Sequence, residues 1–231
     1  MTKGLFDYPQ KAAFGRVLPK SKVYAFAKAT RRLRDLFAAE VNKIVWRCKL
    51  APETINLPAG SGVTEIQVFG VELKPGIDEL TEAILHCIDN AIAFPIIFEV
   101  TAPANTGGRI KVITAYKRPS EADSSKCVVG DYFSTDWLTA ETTRSPLPVA
   151  LNLPGLYEQM LRQLMPIGPR PGESLQALVE RHRSMALKKR ELEKLEAQLR
   201  REIQFNRKVE LNAHLRAVKA ELVALTDEKT L

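Results

Sequence analysis

The chain has 231 residues, 45% hydrophobic and 26% charged, with a formal net charge of +7 at pH 7. A chain of this size can bury a core of one or two domains without disulfide or metal support. Its three cysteines are far apart with no Cys-x-x-Cys pair, and no apolar run approaches the ~18 residues of a membrane span, so a disulfide scaffold, a structural zinc site and a membrane-spanning protein are excluded. Because the N-terminus lacks the apolar run of a signal peptide, we expect a cytoplasmic protein.

The positive charge is concentrated near the N-terminus. Residues 1–49 contain twelve Lys and Arg against three Asp and Glu, a net charge of +9, whereas residues 50–172 carry −5 and residues 173–231 carry +3. A basic surface attracts polyanions through counterion release, and nucleic acid is the commonest such partner. The alternative is a solvated basic face with no dedicated ligand. We predict weak, salt-sensitive nucleic-acid binding centred on Lys20, Lys22, Arg31, Arg32 and Arg34.

The first predicted elements carry these cations. Residues 11–24 contain a Gly and a Pro, which predicts a loop or short strand hairpin that presents the first two lysines of the group. Thr30 can then cap a helix that runs to about Cys48, with apolar residues at the helical period. Arg31 and Arg32 in its first turn oppose the helix dipole, which suggests a ligand that favours positive charge there.

The following segments alternate between strand and helix patterns. Each predicted strand is rich in β-branched and aromatic residues, and the Asn- and Gly-containing residues 105–108 give the clearest hairpin signal. The elements in order are a strand at 65–74, a helix from about 78 to 92, strands at 96–100 and 109–116, and a strand at 127–133. This order predicts an α+β domain over residues 1–150, with a mixed or antiparallel sheet and helices on one face.

A linker and a helical tail follow this domain. Residues 151–172 are rich in Pro and Gly around one short helix, and residues 173–231 contain no Gly or Pro and are rich in helix-forming residues. The tail is predicted to be one long helix or a helical hairpin with Asn206 in its turn. We favour the continuous, coiled-coil-like helix because no Gly or Pro marks a corner. Its apolar seam should bind a helix of a partner protein or of a second copy of the chain. The seam residues are Leu211, Leu215, Val218, Leu222 and Leu225.

One sequence pattern suggests catalysis. Glu72 and Lys74 form a Glu-x-Lys motif at a strand end, and Glu65 and Glu99 could supply further carboxylates. Two acids and a lysine on one sheet face could hold Mg²⁺ for phosphodiester hydrolysis, as in restriction-type nucleases. Ordinary solvated charges at a strand end are the competing interpretation. Whether the protein is an enzyme stays open at this point, and we expect no resident metal or cofactor.

A second basic cluster follows the predicted hairpin. Lys117 and Arg118 come directly after Tyr116 in the sequence, with Tyr132 and Trp137 close behind. Basic residues interleaved with aromatic residues can follow a nucleic-acid backbone and stack on its bases. The alternative is that the rings are buried and the charges are peripheral. We include Lys117 and Arg118 among the candidate nucleic-acid-binding residues.

Several separated blocks of the sequence point, in order, to one family. The blocks are FGRVLPKSKVY, IVWRCKLAPETINL, EIQVFGVELK, PIIFEV, ITAYKRPSEADSSK, GDYFSTDWL, LPGLYEQML and EIQFNRKVELNAHLRAVKAEL. Over essentially its whole length, the chain resembles the bacterial domain-of-unknown-function family 4391. The resemblance implies a genomic setting and no catalytic residues, because such proteins are typically found beside helicases and DNA methyltransferases in restriction-like antiphage defence clusters.

Two functions therefore remain open. The first is a non-enzymatic accessory subunit of such a defence system, which binds nucleic acid through its basic N-terminal part and a helicase or DNA methyltransferase partner through its helical tail. The second is a Mg²⁺-dependent nuclease of the restriction-endonuclease type.

Overall fold

A computed structural model describes residues 4–60, 62–103, 108–120 and 127–227. The chain separates into two units, Met1–Met165 and Pro166–Leu231, which we call the sheet unit and the tail unit. The short helix expected after residue 150 falls in the sheet unit. Residues 105–107 of the expected hairpin turn lie outside the described residues. None of the described helices is long and apolar enough to cross a membrane.

The sheet unit alternates strands and helices along most of its length. A 3-10 turn at Gln10–Ala12 precedes the second strand. The strands are β1 (Phe6–Asp7), β2 (Ala13–Val17), β3 (Val41–Leu50), β4 (Ile66–Leu73), β5 (Ile96–Ala102), β6 (Arg109–Pro119), β7 (Cys127–Ser134), β8 (Leu138–Thr139) and β9 (Ser145–Pro146). The helices are α1 (Lys20–Phe26), α2 (Arg31–Glu40), α3 (Pro52–Ile55), α4 (Glu82–Ala91) and α5 (Leu153–Leu164).

Six strands of the sheet are hydrogen-bonded in the order β2-β3-β4-β5-β6-β7, and β8 pairs with β6. Every neighbouring pair is antiparallel except β4 and β5, which are parallel and connected through α4. A parallel pair requires such a crossover connection. Strands β1 and β9 form a separate parallel pair. The predicted α+β class with a mixed sheet is confirmed, as are the strand at β4 and the antiparallel pairing of β5 with β6.

The segment expected to be a helix from Thr30 to about Cys48 changes structure halfway. Thr30 does cap α2, since its Oγ1 accepts the amide of Leu33 at 3.4 Å. The helix ends at Glu40, however, and Val41–Leu50 form β3, so the predicted end is wrong. Apolar residues three and four apart fit a helix, but they also fit a bulged strand that is covered on both faces. The β-branched and aromatic residues of this segment favour the strand.

Different elements cover the two faces of the sheet. Helices α1, α2 and α4 cover the face that we call the first face, where Phe37, Phe69 and Ile113 belong to one buried core. Helix α5 covers the second face, because Tyr157 interacts with Thr114, which alternates with Ile113 along β6. Side chains on the first face therefore meet α1 and α2, which carry many of the N-terminal cations.

Helix α4 is held at its N-terminal end by a buried acid. The Glu40 carboxylate accepts the backbone amide of Thr81 at 2.7 Å and its hydroxyl at 2.5 Å. Thr81 is the capping residue of α4, and a negative charge is favourable at this end of a helix dipole. The last residue of α2 thus fixes where α4 begins on the first face.

The tail unit is an antiparallel helical hairpin. Helix α6 spans Leu175–Arg201 and helix α7 spans Phe205–Thr226. Of the two alternatives for the tail, the hairpin is therefore the observed one and the favoured continuous helix is wrong, while Asn206 lies inside α7 rather than in the turn. The corner needs no Gly, because Glu202 and Gln204 both adopt extended backbone angles with negative φ. The Glu202 carboxylate also accepts the next two backbone amides, at 2.8 and 2.9 Å, which stabilises the turn.

Candidate nucleic-acid interface

Exposed cations lie on consecutive elements at one edge of the sheet unit. They occur on β2, on α1, just before and at the start of α2, and on β3. No ion pair with a carboxylate is formed by these side chains within the described part of the chain. Their charge is therefore available to an external anion. The members of this group, which we call the unpaired cations, are Arg16, Lys22, Lys28, Arg31, Arg32 and Lys43.

Two of the predicted binding residues have structural contacts instead. The Lys20 ammonium donates to the carbonyl oxygens of Phe37, at 3.3 Å, and of Val41, so it caps the C-terminal end of α2. Burial and the nearby Lys74 ammonium lower the pKa of Lys20. Arg34 donates from Nε to a backbone carbonyl five residues earlier, at 3.1 Å, and its side chain remains exposed. Lys20 is thus a helix cap, and Arg34 is only partly available.

A stack of aromatic rings adjoins the unpaired cations. The Arg16 guanidinium lies over the Phe14 ring, with its Cζ 4.7 Å from the ring centroid. The centroids of Phe14 and Trp46 are 4.1 Å apart, and those of Trp46 and Phe69 are 6.0 Å apart. Sequence analysis missed this stack, although Phe14 and Trp46 each stand within two residues of an arginine. Only the pairing of β2, β3 and β4 brings the three rings together.

The stack leads to an apolar cavity on the first face. The cavity has a volume of about 310 Å³ and is lined by Trp46, Phe69, Gln67, Lys22 and Phe26, together with the end of α4 and the residues after it. This volume is at the lower end of the range for pockets that bind small organic groups. Phe26 is 75% exposed, which is unusual for a side chain of its size. The arrangement offers rings for stacking and a cation for an attached phosphate.

The buried Lys117 side chain stabilises the end of α4 next to the cavity. Its ammonium donates to the carbonyl oxygens of Asp89, at 2.7 Å, and of Phe94, at 3.0 Å, so it caps the C-terminal end of α4 beside the cavity. The Asp89 carboxylate pairs with Lys117 at 3.3 Å and accepts the Tyr132 hydroxyl at 2.6 Å. Burial raises the pKa of Asp89 and lowers that of Lys117, and the attraction between the two charges opposes both shifts. Lys117 is buried and therefore belongs to no exposed basic surface, while Arg118 is partly buried.

The second face contains a cluster in which two arginines bind one buried carboxylate. Glu99 on β5 is fully buried, and its carboxylate is bound by Arg47 at 2.5 Å and by Arg144 at 2.6 and 2.9 Å. Arg47 reaches Glu99 by crossing Gly70 on the intervening strand, where an added Cβ would lie 2.9 Å from the arginine Cδ. These hydrogen bonds to Glu99 raise the pKa of Arg144. Burial and the Glu99 charge raise the pKa of Tyr8, whose hydroxyl is buried beside the cluster.

The residues of the hypothetical nuclease site are only partly brought together. Glu72 and Glu99 lie on neighbouring strands and on the same face, because Gly70 pairs with Glu99, but Glu65 is remote from both. Glu65 immediately precedes β4 and Glu72 lies near its other end, roughly 23 Å away at 3.3 Å per residue. Glu65 pairs with a lysine of β3 at 3.2 Å, Glu72 accepts the side-chain amide of Asn42 at 2.7 Å, and Glu99 is bound by two arginines. Lys74 follows the end of β4 that is remote from Glu65. Within the described residues, no group of three His, Cys, Asp or Glu side chains could hold a metal ion.

The predicted partner seam of the tail is the interior of its own hairpin. Leu215 and Val218 are buried together with Leu195 of α6, and Leu211 and Leu222 pack around them. Leu225, near the end of α7, is partly buried. Folding back covers this apolar surface without a second molecule, so the seam is not an open docking face.

The turn of the hairpin carries the most exposed apolar side chains described in the tail unit. Ile203 is 90% exposed, Phe205 is 77% exposed and Val209 is also exposed. Four basic side chains stand close to them in the sequence, and the carboxylate of Glu202 is occupied by the turn amides. These cations are Arg200, Arg201, Arg207 and Lys208.

Comparison with known proteins identifies a protein family but no individual relative. No curated protein and no solved structure matches the chain. A family model described as "Domain of unknown function (DUF4391)" matches residues 6–222 and so includes both the sheet unit and most of the tail unit. The chain therefore belongs to the DUF4391 family.

Proposed function

We propose that this protein is a non-enzymatic, nucleic-acid-binding subunit of a bacterial restriction-like antiphage defence system. The convergence of unpaired cations with stacked rings carries the binding proposal. Arg16 lies over Phe14, Phe14 packs on Trp46, and Trp46 and Lys22 line the same cavity. Cations contact phosphates of any sequence, and aromatic rings stack on bases of any sequence. The combination is typical of a protein that binds a nucleic-acid strand without sequence specificity.

Single-stranded nucleic acid fits this surface better than a duplex. In a duplex the base faces are covered by neighbouring bases, and only base edges are accessible in the grooves. The rings of Trp46 and Phe26 could then contribute little, whereas an unpaired strand presents its base faces directly. The exposed helices α1 and α2 would supply the phosphate contacts.

The defence role and the protein partner are supported by the family setting and by the turn of the tail. Members of the family resemble this chain and typically occur beside helicases and DNA methyltransferases. Ile203 and Phe205 expose apolar surface among four cations, a combination suited to an acidic protein surface with an apolar centre. We propose that a helicase or DNA methyltransferase of the same gene cluster binds at this turn.

Salt-dependent binding tests the nucleic-acid proposal. The affinity of fluorescein-labelled single-stranded and duplex oligonucleotides is measured by anisotropy between low and physiological salt. We expect tighter binding of the single strand, and a weaker salt dependence when Lys22, Arg31 and Arg32 are changed together to Ala. Each phosphate contact that is lost should reduce the slope of log affinity against log salt by about 0.7 to 0.9.

A matched control removes the same charge elsewhere. Lys189, Arg190 and Lys194 are exposed on α6, and their triple change to Ala should leave the slope unchanged. Absence of wild-type binding even at low salt, or equal effects of the two triple variants, would refute the proposed binding surface.

Co-purification tests the partner. The chain is expressed together with any helicase or DNA methyltransferase encoded in its gene neighbourhood, and association is measured by size-exclusion chromatography. We expect the double variant Ile203→Asp and Phe205→Asp to lose the complex and to remain helical. Leu187→Asp, at an exposed apolar position on α6, is the control and should keep it. A complex that survives the double variant would show that the turn is not the docking surface.

A further inference from the structure

We infer that the cavity beside Trp46 receives one unstacked nucleobase from a single-stranded nucleic acid, with the attached phosphate near Lys22. This inference rests on the proposed nucleic-acid binding and goes beyond it, because it assigns a base-binding site to named residues. General electrostatic binding requires cations only and would need no cavity at all.

The shape and lining of the cavity suit a flat heteroaromatic ring. Its volume is about 310 Å³, and Trp46, Phe69 and Phe26 supply aromatic surface. Trp46 and Phe69 are stacked with an angle of 30° between their planes, so they already continue the ring series that begins at Phe14. A base in the cavity would contact the Trp46 and Phe69 rings where they line it. Stacking on an aromatic side chain is the main source of base affinity in proteins that bind single strands.

Gln67 gives the cavity a polar group that could bind a base edge. Its side chain lines the cavity although the residue is only 5% exposed. The amide nitrogen donates to the Glu65 carboxylate at 2.6 Å, and this contact fixes the orientation of the amide. Within the described residues, no protein donor bonds to the amide oxygen. An imino or amino N–H of a base is a donor that could satisfy this oxygen.

The charges at the cavity favour a base over an apolar peptide side chain. Lys22 lines the cavity, Arg16 stands at the far end of the ring stack, and neither has a carboxylate partner in the described structure. The cavity lining contains no Asp or Glu. A nucleotide brings its own phosphate to these cations, whereas a buried peptide side chain brings no charge.

Fluorescence in a single-tryptophan protein tests the inference. The chain has two tryptophans, and the Trp137→Phe background leaves Trp46 as the only indole reporter. The probes are octathymidylate and an eight-unit abasic oligonucleotide with the same phosphate backbone. We expect octathymidylate to quench Trp46 fluorescence and to bind about tenfold more tightly than the abasic probe, because stacking of one base contributes about that factor.

Two variants locate the effect. Ala93→Phe should fill the mouth of the cavity and weaken octathymidylate binding about tenfold, with no change for the abasic probe. Ala83→Phe, at an exposed position on α4 away from the cavity, is the control. If Ala93→Phe lowers the melting temperature, Phe26→Ala gives the same test at an exposed position, with the same expected loss.

The outcomes separate this inference from the proposed function. Equal affinity for both probes, with no effect of Ala93→Phe or Phe26→Ala, would overturn the base site and leave electrostatic binding intact. Binding of thymidine monophosphate as tightly as octathymidylate would also overturn it, since the cavity would then be a free-nucleotide pocket. Failure of the wild type to bind either probe would refute the proposed function itself, and the inference with it.

Discussion

The basic side chains on the two faces of the sheet differ in whether a carboxylate binds them. On the second face, Arg47 and Arg144 bind the buried Glu99 carboxylate at 2.5 to 2.9 Å. On the first face, Arg16 and Lys22 have no carboxylate partner in the described structure and adjoin rings and a cavity. A cation held by a buried acid stabilises the fold, and a cation without one is free to bind a ligand. The count of basic residues near the N-terminus does not distinguish these two roles.

The largest expected effect comes from removing the buried acid. Glu99→Gln would leave two arginines without their counter-charge. We expect the free energy of unfolding to fall by about 3 kcal/mol in urea titrations, the lower end of the range for a broken buried pair, because both arginines reach solvent. Glu72→Gln, at an exposed acid of the neighbouring strand, should change it by less than about 0.5 kcal/mol. Equal effects of the two changes would break the contrast between the two faces.

A second, largely buried pair of an acid and an arginine, in the tail unit, predicts a pH-dependent stability. The Arg181 guanidinium donates to both carboxylate oxygens of Glu173 at 2.8 Å, and these bonds lower the pKa of Glu173 from 4.5 to about 2. Because the pKa is lower in the folded state, the stabilisation is fully present above about pH 5 and is lost as the pH falls toward 2. Glu173→Gln should cost up to about 3 kcal/mol at pH 7 and almost nothing near pH 2. A pH-independent difference in unfolding free energy between the two proteins would contradict this account.

A smaller loss of unfolding free energy is expected for a substitution at Gly70, where the Arg47 side chain crosses β4. Gly70→Ala places a methyl group against the Arg47 Cδ, so the arginine must shift from Glu99, at a cost of about 1 kcal/mol. In an Arg47→Ala background the obstacle is absent, and Gly70→Ala should be neutral or slightly stabilising, because Gly weakens a strand interior. A double-mutant cycle on unfolding free energies measures this coupling. A coupling free energy of zero would mean that Arg47 can reach Glu99 without a glycine at position 70.

The smallest stability effect is expected on the first face. Lys22→Ala and Arg32→Ala remove exposed charges without carboxylate partners, so each should change the unfolding free energy by less than about 0.5 kcal/mol. Nucleic-acid affinity should nevertheless fall, which separates binding from folding. A stability loss above 1 kcal/mol for either variant would show that these cations are structural, like those around Glu99.

Much of the sheet unit could be predicted because its signals are local. The Thr30 cap, the strand at β4 and the pairing of β5 with β6 depend on residues close together in the chain. Two local predictions failed where a pattern fitted two structures equally well. The apolar spacing after Glu40 suits a helix or a bulged strand, and the absence of Gly near residue 203 suits a continuous helix or a turn built from extended residues.

The candidate site was less predictable because its parts come from distant segments. Lys20 and Lys117 read as surface cations in the sequence, but each caps a helix end that only the folded chain places beside it. Phe14, Trp46 and Phe69 carry no motif, and their stack requires three strands to pair in one register.

By itself, the sequence determined the family, the α+β class with a helical tail, and the concentration of positive charge near the N-terminus. These properties depend on composition, on short-range periodicity or on blocks that can be compared directly. Only the tertiary structure decided which cations are neutralised, as Arg47 is by Glu99, and which remain beside rings and a cavity, as Lys22 does. The physical reason is that charge pairing and ring stacking act across a few ångströms of space between residues that lie far apart in the chain.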